Sequence, residues 1–280
     1  CSGETDATGT VIDNDVDNDG VCDADEVEGC QDETACNFLP TATNDDVSCE
    51  YCSCQGNTAS EEGYGVIIDP VAVHTEGELA GMTTYQVFLT TPSADDILTA
   101  LIGDNNFALD LSSSTSFYQH PSGGVTPEFM SDMVIEVMPN LAYDSYVTVG
   151  LSGPATEAGE ANAGVIPGPW SSEFEAGGPV HIEDELGGGW YVVPSASNAL
   201  VGADLRILVA QLTTDGQITG SFRAQVLPNG DNEEDDRVDI TFMDAICGCN
   251  DPIALNYDPM ANFLVEGSCE FPIYGCVDEL

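Results

Sequence analysis

Asp15-Val16-Asp17-Asn18-Asp19-Gly20 is followed, after five residues, by Glu26. Carboxylates at alternate positions, a glycine at the bend and a late glutamate match the loop pattern that wraps a calcium ion in side-chain and backbone oxygens. Asp15, Asp17 and Asp19 are expected to ligate through their side chains and Val21 through its carbonyl. Asp23 would act directly or through water, and Glu26 through both carboxylate oxygens. Calcium is therefore the expected cofactor; the bland alternative is a solvated acidic tail. Val27-Glu28-Gly29-Cys30 does not read as a helix, so the loop lacks the flanking helices of a helix–loop–helix hand. A second acidic cluster, Asp231, Glu233, Glu234, Asp235 and Asp236, reads as a solvated hairpin loop between Gln225–Leu227 and Val238–Ile240.

Signals for catalysis are weaker. The histidines are His74, His120 and His181, and no H-E-x-x-H, G-x-S-x-G or phosphate-binding loop occurs. His181-Ile182-Glu183-Asp184-Glu185 alternates as a strand would, which suits a surface or packed histidine better than a base. Paired carboxylates could hydrolyse glycosides, but among 50 acidic residues any pair can be nominated. The chain is not expected to be an enzyme. Trp170 follows Gly168-Pro169 and Trp190 follows Gly187-Gly188-Gly189. Exposed, they could stack on sugars; buried, they would fill a core.

The elements that position these residues fall into two styles. Seven of the eleven cysteines lie within the first 54 residues: Cys1, Cys22, Cys30, Cys36, Cys49, Cys52 and Cys54. Four more close the chain: Cys247, Cys249, Cys269 and Cys276. Small modules with little core use disulfides in this way. The C-x-C pairs, without nearby histidines, do not fit zinc knuckles. An odd count leaves at least one cysteine without a partner in the chain, and Cys1 is the natural candidate. With no leader and no initiator methionine, the chain reads as mature or partial.

The two cysteine-rich flanks repeat each other. Gly29-Cys30-Gln31-Asp32, Ala35, Asn37-Phe38, Pro40 and Ala42 recur as Gly248-Cys249-Asn250-Asp251, Ala254, Asn256-Tyr257, Pro259 and Ala261. Ser48-Cys49-Glu50-Tyr51 recurs as Ser268-Cys269-Glu270-Phe271. Pairing Cys30 with Cys49 and Cys249 with Cys269 would close loops of about 20 residues, each worth roughly 3 kcal/mol. Leu255 stands where Cys36 does, so Cys36 needs another partner, with Cys22, Cys52 and Cys54 as candidates. Gly275-Cys276-Val277-Asp278-Glu279 resembles the opening of the first repeat. Either a third copy begins there, as in a tandem array, or Cys276 closes a disulfide in the second.

Four segments follow: an acidic calcium segment over 1–29, a first cysteine module over 30–63, a cysteine-free domain over 64–243, and a second module over 244–280. The middle domain reads as a mainly β, antiparallel sandwich or jelly roll. Strands are expected at Thr83–Leu89, Met133–Val137, Tyr143–Leu151, Gly189–Val193 and Val238–Phe242. A hairpin is expected from Asp204–Leu212 and Gln217–Val226 about Asp215-Gly216. Ala94–Leu101 reads as a short helix capped by Ser93.

Charge bounds the partners. The chain of 280 residues carries 50 acidic and 3 basic side chains, a formal net charge of −47. Nothing could neutralise phosphates, so nucleic acid is excluded, and anionic membranes would repel the chain. No apolar run is long enough to span a bilayer. So acidic a chain repels itself when compact and needs salt or divalent cations, which fits an extracellular or cell-surface location.

The flanking repeats resemble the G-C-x-D-x-x-A-x-N-Y-x-P-x-A…S-C-E-Y repeats of large modular secreted proteins of aquatic bacteria and algae. Residues 11–26 resemble a thrombospondin type 3 calcium repeat. The middle domain is similar to one that recurs beside such repeats, on Ser116–Gln119, Tyr143–Gly150, Gly188–Trp190 and Asp204–Arg206. The resemblance implies a surface location and a modular build, not an activity. The function expected first is a structural subunit of an extracellular filament or appendage, self-associating head to tail into a homopolymer. A calcium-dependent carbohydrate-binding or adhesin module, with glycans as partners, comes second, and a secreted glycoside hydrolase third.

Overall fold

The computed structural model describes residues 21–22, 24–32, 35–36, 38–45, 49, 52, 57–166, 168–231, 235–244, 246–258, 261, 263–264 and 268–272. Asp15, Asp17, Asp19, Asp23, Cys1, Cys54, Cys276, Glu233 and Glu234 lie outside them. The chain divides into two compact units, Cys1–Tyr51 and Cys52–Leu280. Among its described residues the first unit has two short strands, β1 (Glu28–Gly29) and β2 (Asn44–Asp45).

The second unit is mainly β, as expected, and its longer strands are antiparallel. Its strands are β3 (Thr58–Ala59), β4 (Gly65–Val73), β5 (Thr83–Thr90), β6 (Ile97–Gly103), β7 (Leu109–Ser113), β8 (Tyr146–Val147) and β9 (Gly164–Ile166). They continue with β10 (Val180–Ile182), β11 (Gly188–Tyr191), β12 (Arg206–Thr214), β13 (Ile218–Leu227), β14 (Asp236–Met243), β15 (Cys247–Gly248) and β16 (Phe263–Leu264). Two short helices, α1 (Asp132–Val137) and α2 (Pro169–Glu175), lie between β7 and β10.

Two sheets enclose one core. The smaller has the order β4-β5-β12-β8, and the larger β10-β7-β13-β6-β11-β9. One edge of β13 pairs with β14, which pairs in turn with β3. The other edge of β13 pairs with β7 over residues 218–221 and with β6 over 223–227. Strands β13 and β14 alternate: Ile218, Phe222, Ala224 and Val226, like Val238, Ile240 and Phe242, point inward. They meet Val66 and Ile68 of β4, Val87 and Leu89 of β5, and Val209 and Leu212 of β12 in one apolar cluster. Strand β12 is buried from Ile207 to Thr214 because residues 116–152 cover its other face. There Gln211 donates to the Ala142 and Asp144 carbonyls, and Thr213 takes up Ser145 Oγ and the Tyr143 carbonyl.

Three expectations are corrected. Ala94–Leu101 is not a helix, since residues 97–103 form β6, between β13 and β11. The Ser93 signal marks a turn: its N–H donates to Asp96 Oδ2 and its Oγ accepts from Asp95 N. Tertiary pairing of Ile97-Leu98-Thr99 overrides local propensity. Met133–Val137 is not a strand but most of α1, because Met130, Val134 and Met138 recur every four residues and pack with Leu141 and Tyr146. Finally, β12 and β13 flank the Asp215-Gly216 turn but belong to opposite sheets. Both edges of each are taken by other strands, and Ser114 fixes the turn through bonds to Gln217 N and O. The Asp-Gly turn thus carries the chain across the core. Of Tyr143–Leu151, Tyr146–Val147 forms strand β8, while β5, β11 and β14 lie where expected.

Candidate assembly modules

The repeated sequence builds the same small framework twice. In the first unit β1 and β2 are parallel, with Glu28 opposite Asn44 and Gly29 opposite Asp45. In the second, β15 and β16 are parallel, with Cys247 opposite Phe263 and Gly248 opposite Leu264. Cys30 bridges to Phe38 and Cys249 to Tyr257 in the same sense. The Cys30 carbonyl accepts from Leu39 N at 2.9 Å and the Cys249 carbonyl from Asp258 N at 2.8 Å. Ala35 N donates to the Asp32 carbonyl and Ala254 N to that of Asp251, both at 3.0 Å.

This geometry explains the motif. A Cβ on Gly29 would lie 3.3 Å from the Ala42 Cβ, and one on Gly248 would lie 3.1 Å from the Ala261 Cβ, so the G-C and P-x-A elements need small residues facing each other. Asn256 closes the module: its Nδ2 donates to the Ser268 carbonyl at 2.6 Å, and its Oδ1 accepts from Glu270 N at 2.8 Å. The disulfides Cys30–Cys49 and Cys249–Cys269, both expected, have equal Cα–Cα distances of 4.8 Å.

A third disulfide was not foreseen. Cys52 pairs with Cys247 across 195 residues of sequence, with Cα atoms 5.8 Å apart. Just inside it β3 pairs with Ile240–Thr241 of β14, so the chain enters and leaves the sandwich at one place. Cys22 and Cys36 are disulfide-bonded as well. Such bonds persist in oxidising surroundings, so the protein belongs to the cell exterior or another oxidising compartment. Among the described residues no helix is long and apolar enough to cross a membrane.

Of the calcium loop, Val21 and Glu26 are described and both are partly buried. The two tryptophans are core residues. Trp190 is fully buried and donates Nε1–H to the Thr148 carbonyl at 2.9 Å; Trp170 is 3 % exposed and donates to that of Ile166. Their rings lie 6.4 Å apart and neither offers an open stacking face.

Each histidine has a hydrogen-bond partner within the chain. His181 sits between Asp110, at 3.0 Å, and Glu183, at 3.6 Å. His74 Nε2 meets the buried Thr84 hydroxyl, which bonds onward to Thr213. His120 Nδ1 accepts from Ser122 N. Each arginine is also engaged within the chain: Arg206 with Asp69, Arg223 with Asp104 and Asp239, and Arg237 with Asp235.

Asp144, which sequence reasoning did not single out, is fully buried. Its Oδ1 accepts from His120 N at 2.6 Å and its Oδ2 from Gly124 N at 3.3 Å. Burial pushes its pKa up to about 6, against the opposing pull of backbone N–H groups. A Cβ on Gly123 would sit 1.8 Å from the carboxylate, so Gly123-Gly124 is the sequence signal for this clamp.

Neither the protein-family models, nor the curated proteins, nor the solved structures compared with this chain give a match.

Proposed function

We propose that the protein is a structural, self-associating subunit of an extracellular filament or surface appendage, stapled by disulfides and stiffened by calcium. The observation that carries this reading is the same cross-linked framework, built once before and once after a β-sandwich. Repetition of one small framework suits a chain that extends by like units better than one that shapes a single reaction site. The third disulfide supports it, because a domain entered and left at one place can hang on a backbone of modules without interrupting it.

Charge supports the role of calcium. With every arginine already paired within the chain, neighbouring copies have no basic side chain left to offset a net charge of −47. Divalent cations would have to take that part. Asp15, Asp17, Asp19, Asp23 and Glu26, with the Val21 carbonyl, are the residues proposed to hold one.

Electron microscopy of the native material with and without a calcium chelator tests the reading. Filaments that loosen or shorten on chelation are expected. Dispersed monomers in millimolar calcium would sink it.

A further inference from the structure

The outer face of the larger sheet carries a hollow beside the point where β13 changes partners from β6 to β7. Its floor is a row of polar side chains, one from each strand. Asp110 of β7, Ser221 of β13 and Thr241 of β14 lie opposite one another in register, about 4.8 Å apart from strand to strand. Thr219 extends the floor along β13, opposite Met243 of β14. Phe107 and Met243 supply apolar walls, and the hollow measures about 330 Å³ and opens to solvent. Its parts are held in place from outside. Asp104 Oδ1 accepts from Asn106 N at 2.7 Å and from Phe107 N at 3.0 Å, and Asp104 Oδ2 pairs with Arg223, whose guanidinium lies 5.9 Å from the centre of the Phe107 ring. Ser221 Oγ donates to the Ala108 carbonyl at 2.9 Å. Asp110 Oδ2 meets His181 Nδ1 at 3.0 Å, and its Oδ1 accepts from Ser112 Oγ. The Thr219 and Thr241 hydroxyls are exposed and have no side-chain partner among the described residues.

We infer that this hollow binds a neutral sugar, as one pyranose unit of a saccharide. The chemistry of the lining chooses the class. Three hydroxyls that both donate and accept, and one carboxylate that accepts, face two apolar walls. A pyranose presents the matching mixture, with hydroxyls around its rim and C–H groups on its faces. Charge excludes the alternatives. Among the described residues no basic side chain lines the hollow, and a net charge of −47 repels phosphate, sulfate and uronate. A bare cation would meet a single carboxylate, already shared with His181 and Ser112. The volume lies at the small end of the range for ligand pockets, about 300–1,000 Å³, which suits one sugar ring rather than a long cleft. The site needs neither the calcium loop nor the tryptophans, both of which are core residues. It therefore stands whether or not copies of the chain assemble.

Saturation-transfer NMR on the full chain tests the site, with glucose, galactose, mannose, fucose, xylose and N-acetylglucosamine as probes. Glucuronate and galacturonate serve as charged counterparts. At least one neutral sugar should receive transfer and neither uronate should. Thr219→Trp fills the hollow from an exposed position and should abolish the transfer. Asp110→Asn keeps the shape but removes the charged acceptor, and should weaken binding roughly tenfold. Tyr191→Ala, at an aromatic residue 44 % exposed on β11 of the same sheet, should bind as wild type. Circular dichroism and thermal midpoints check that each variant folds. No transfer to any of the six neutral sugars, equal transfer to the uronates, or transfer that persists in folded Thr219→Trp would overturn the site.

Discussion

Asp144 shows how much one buried carboxylate can weigh. Its folded-state pKa of about 6 lies above the ordinary 3.8. Below about pH 4 both folded and unfolded chains hold the proton. Between there and about pH 6 only the folded chain does, so its contribution to stability falls as pH rises through that window and is flat above it. The difference in unfolding free energy between wild type and Asp144→Asn should therefore drop by roughly 2 kcal/mol from pH 4 to pH 7. Urea titrations at the two pH values check this; a constant difference would deny the burial effect. The tryptophans make a second residue-scale prediction. With Trp190 fully buried and Trp170 at 3 % exposure, native emission should be blue-shifted and resist acrylamide quenching until the sandwich unfolds. Trp190→Ala should cost about 3–5 kcal/mol.

Among the elements, β11 carries the sharpest constraint. The run Gly187-Gly188-Gly189 reads as turn punctuation, yet Gly188 and Gly189 are strand residues, and Gly189 lies opposite Ile102 and Ile166. Gly189 has φ of 145°, and a Cβ there would sit 2.0 Å from the Leu101 carbonyl oxygen. Backbone cannot give way as a flexible side-chain end can, so Gly189→Ala should cost more than about 3 kcal/mol or prevent folding. Gly81→Ala gives the comparison: its φ is 92° but nothing lies within 4 Å, so it should lose only about 1 kcal/mol. Thermal unfolding of the two variants side by side separates steric cost from backbone strain. The β12–β13 connection makes a related point. Asp-Gly between two alternating stretches specifies a reversal of direction, but competition for strand edges decides whether the two strands pair or face each other across a core.

At the scale of the molecule, the Cys52–Cys247 bond joins cysteines 195 residues apart, against 19 and 20 for the staples of the two repeats. Replacing both cysteines by serine should lower the unfolding free energy of the sandwich by about 3–5 kcal/mol. The Cys30–Cys49 and Cys249–Cys269 staples would stay in place in that variant, which differential alkylation can verify. Charge acts over the same length. Self-repulsion at −47 should make the thermal midpoint climb with sodium chloride. Calcium should raise it more than sodium does at equal ionic strength, and Asp17→Asn with Asp19→Asn should remove that extra gain if the loop binds the ion.

By itself the sequence determined the mainly β class, the paired modules and two of their disulfides, because spacing and repetition are local and leave their mark on consecutive residues. The alternation of β5, β13 and β14 is legible for the same reason, since a strand with one buried face must alternate. The tertiary structure alone decided which edges pair, and so put residues 97–101 of the expected helix into a strand and turned the expected hairpin into a crossing between sheets. It also joined Cys52 to Cys247 and buried both tryptophans. Each of these depends on residues far apart in the chain competing for the same edge, partner or surface, and no local pattern records the outcome of that competition.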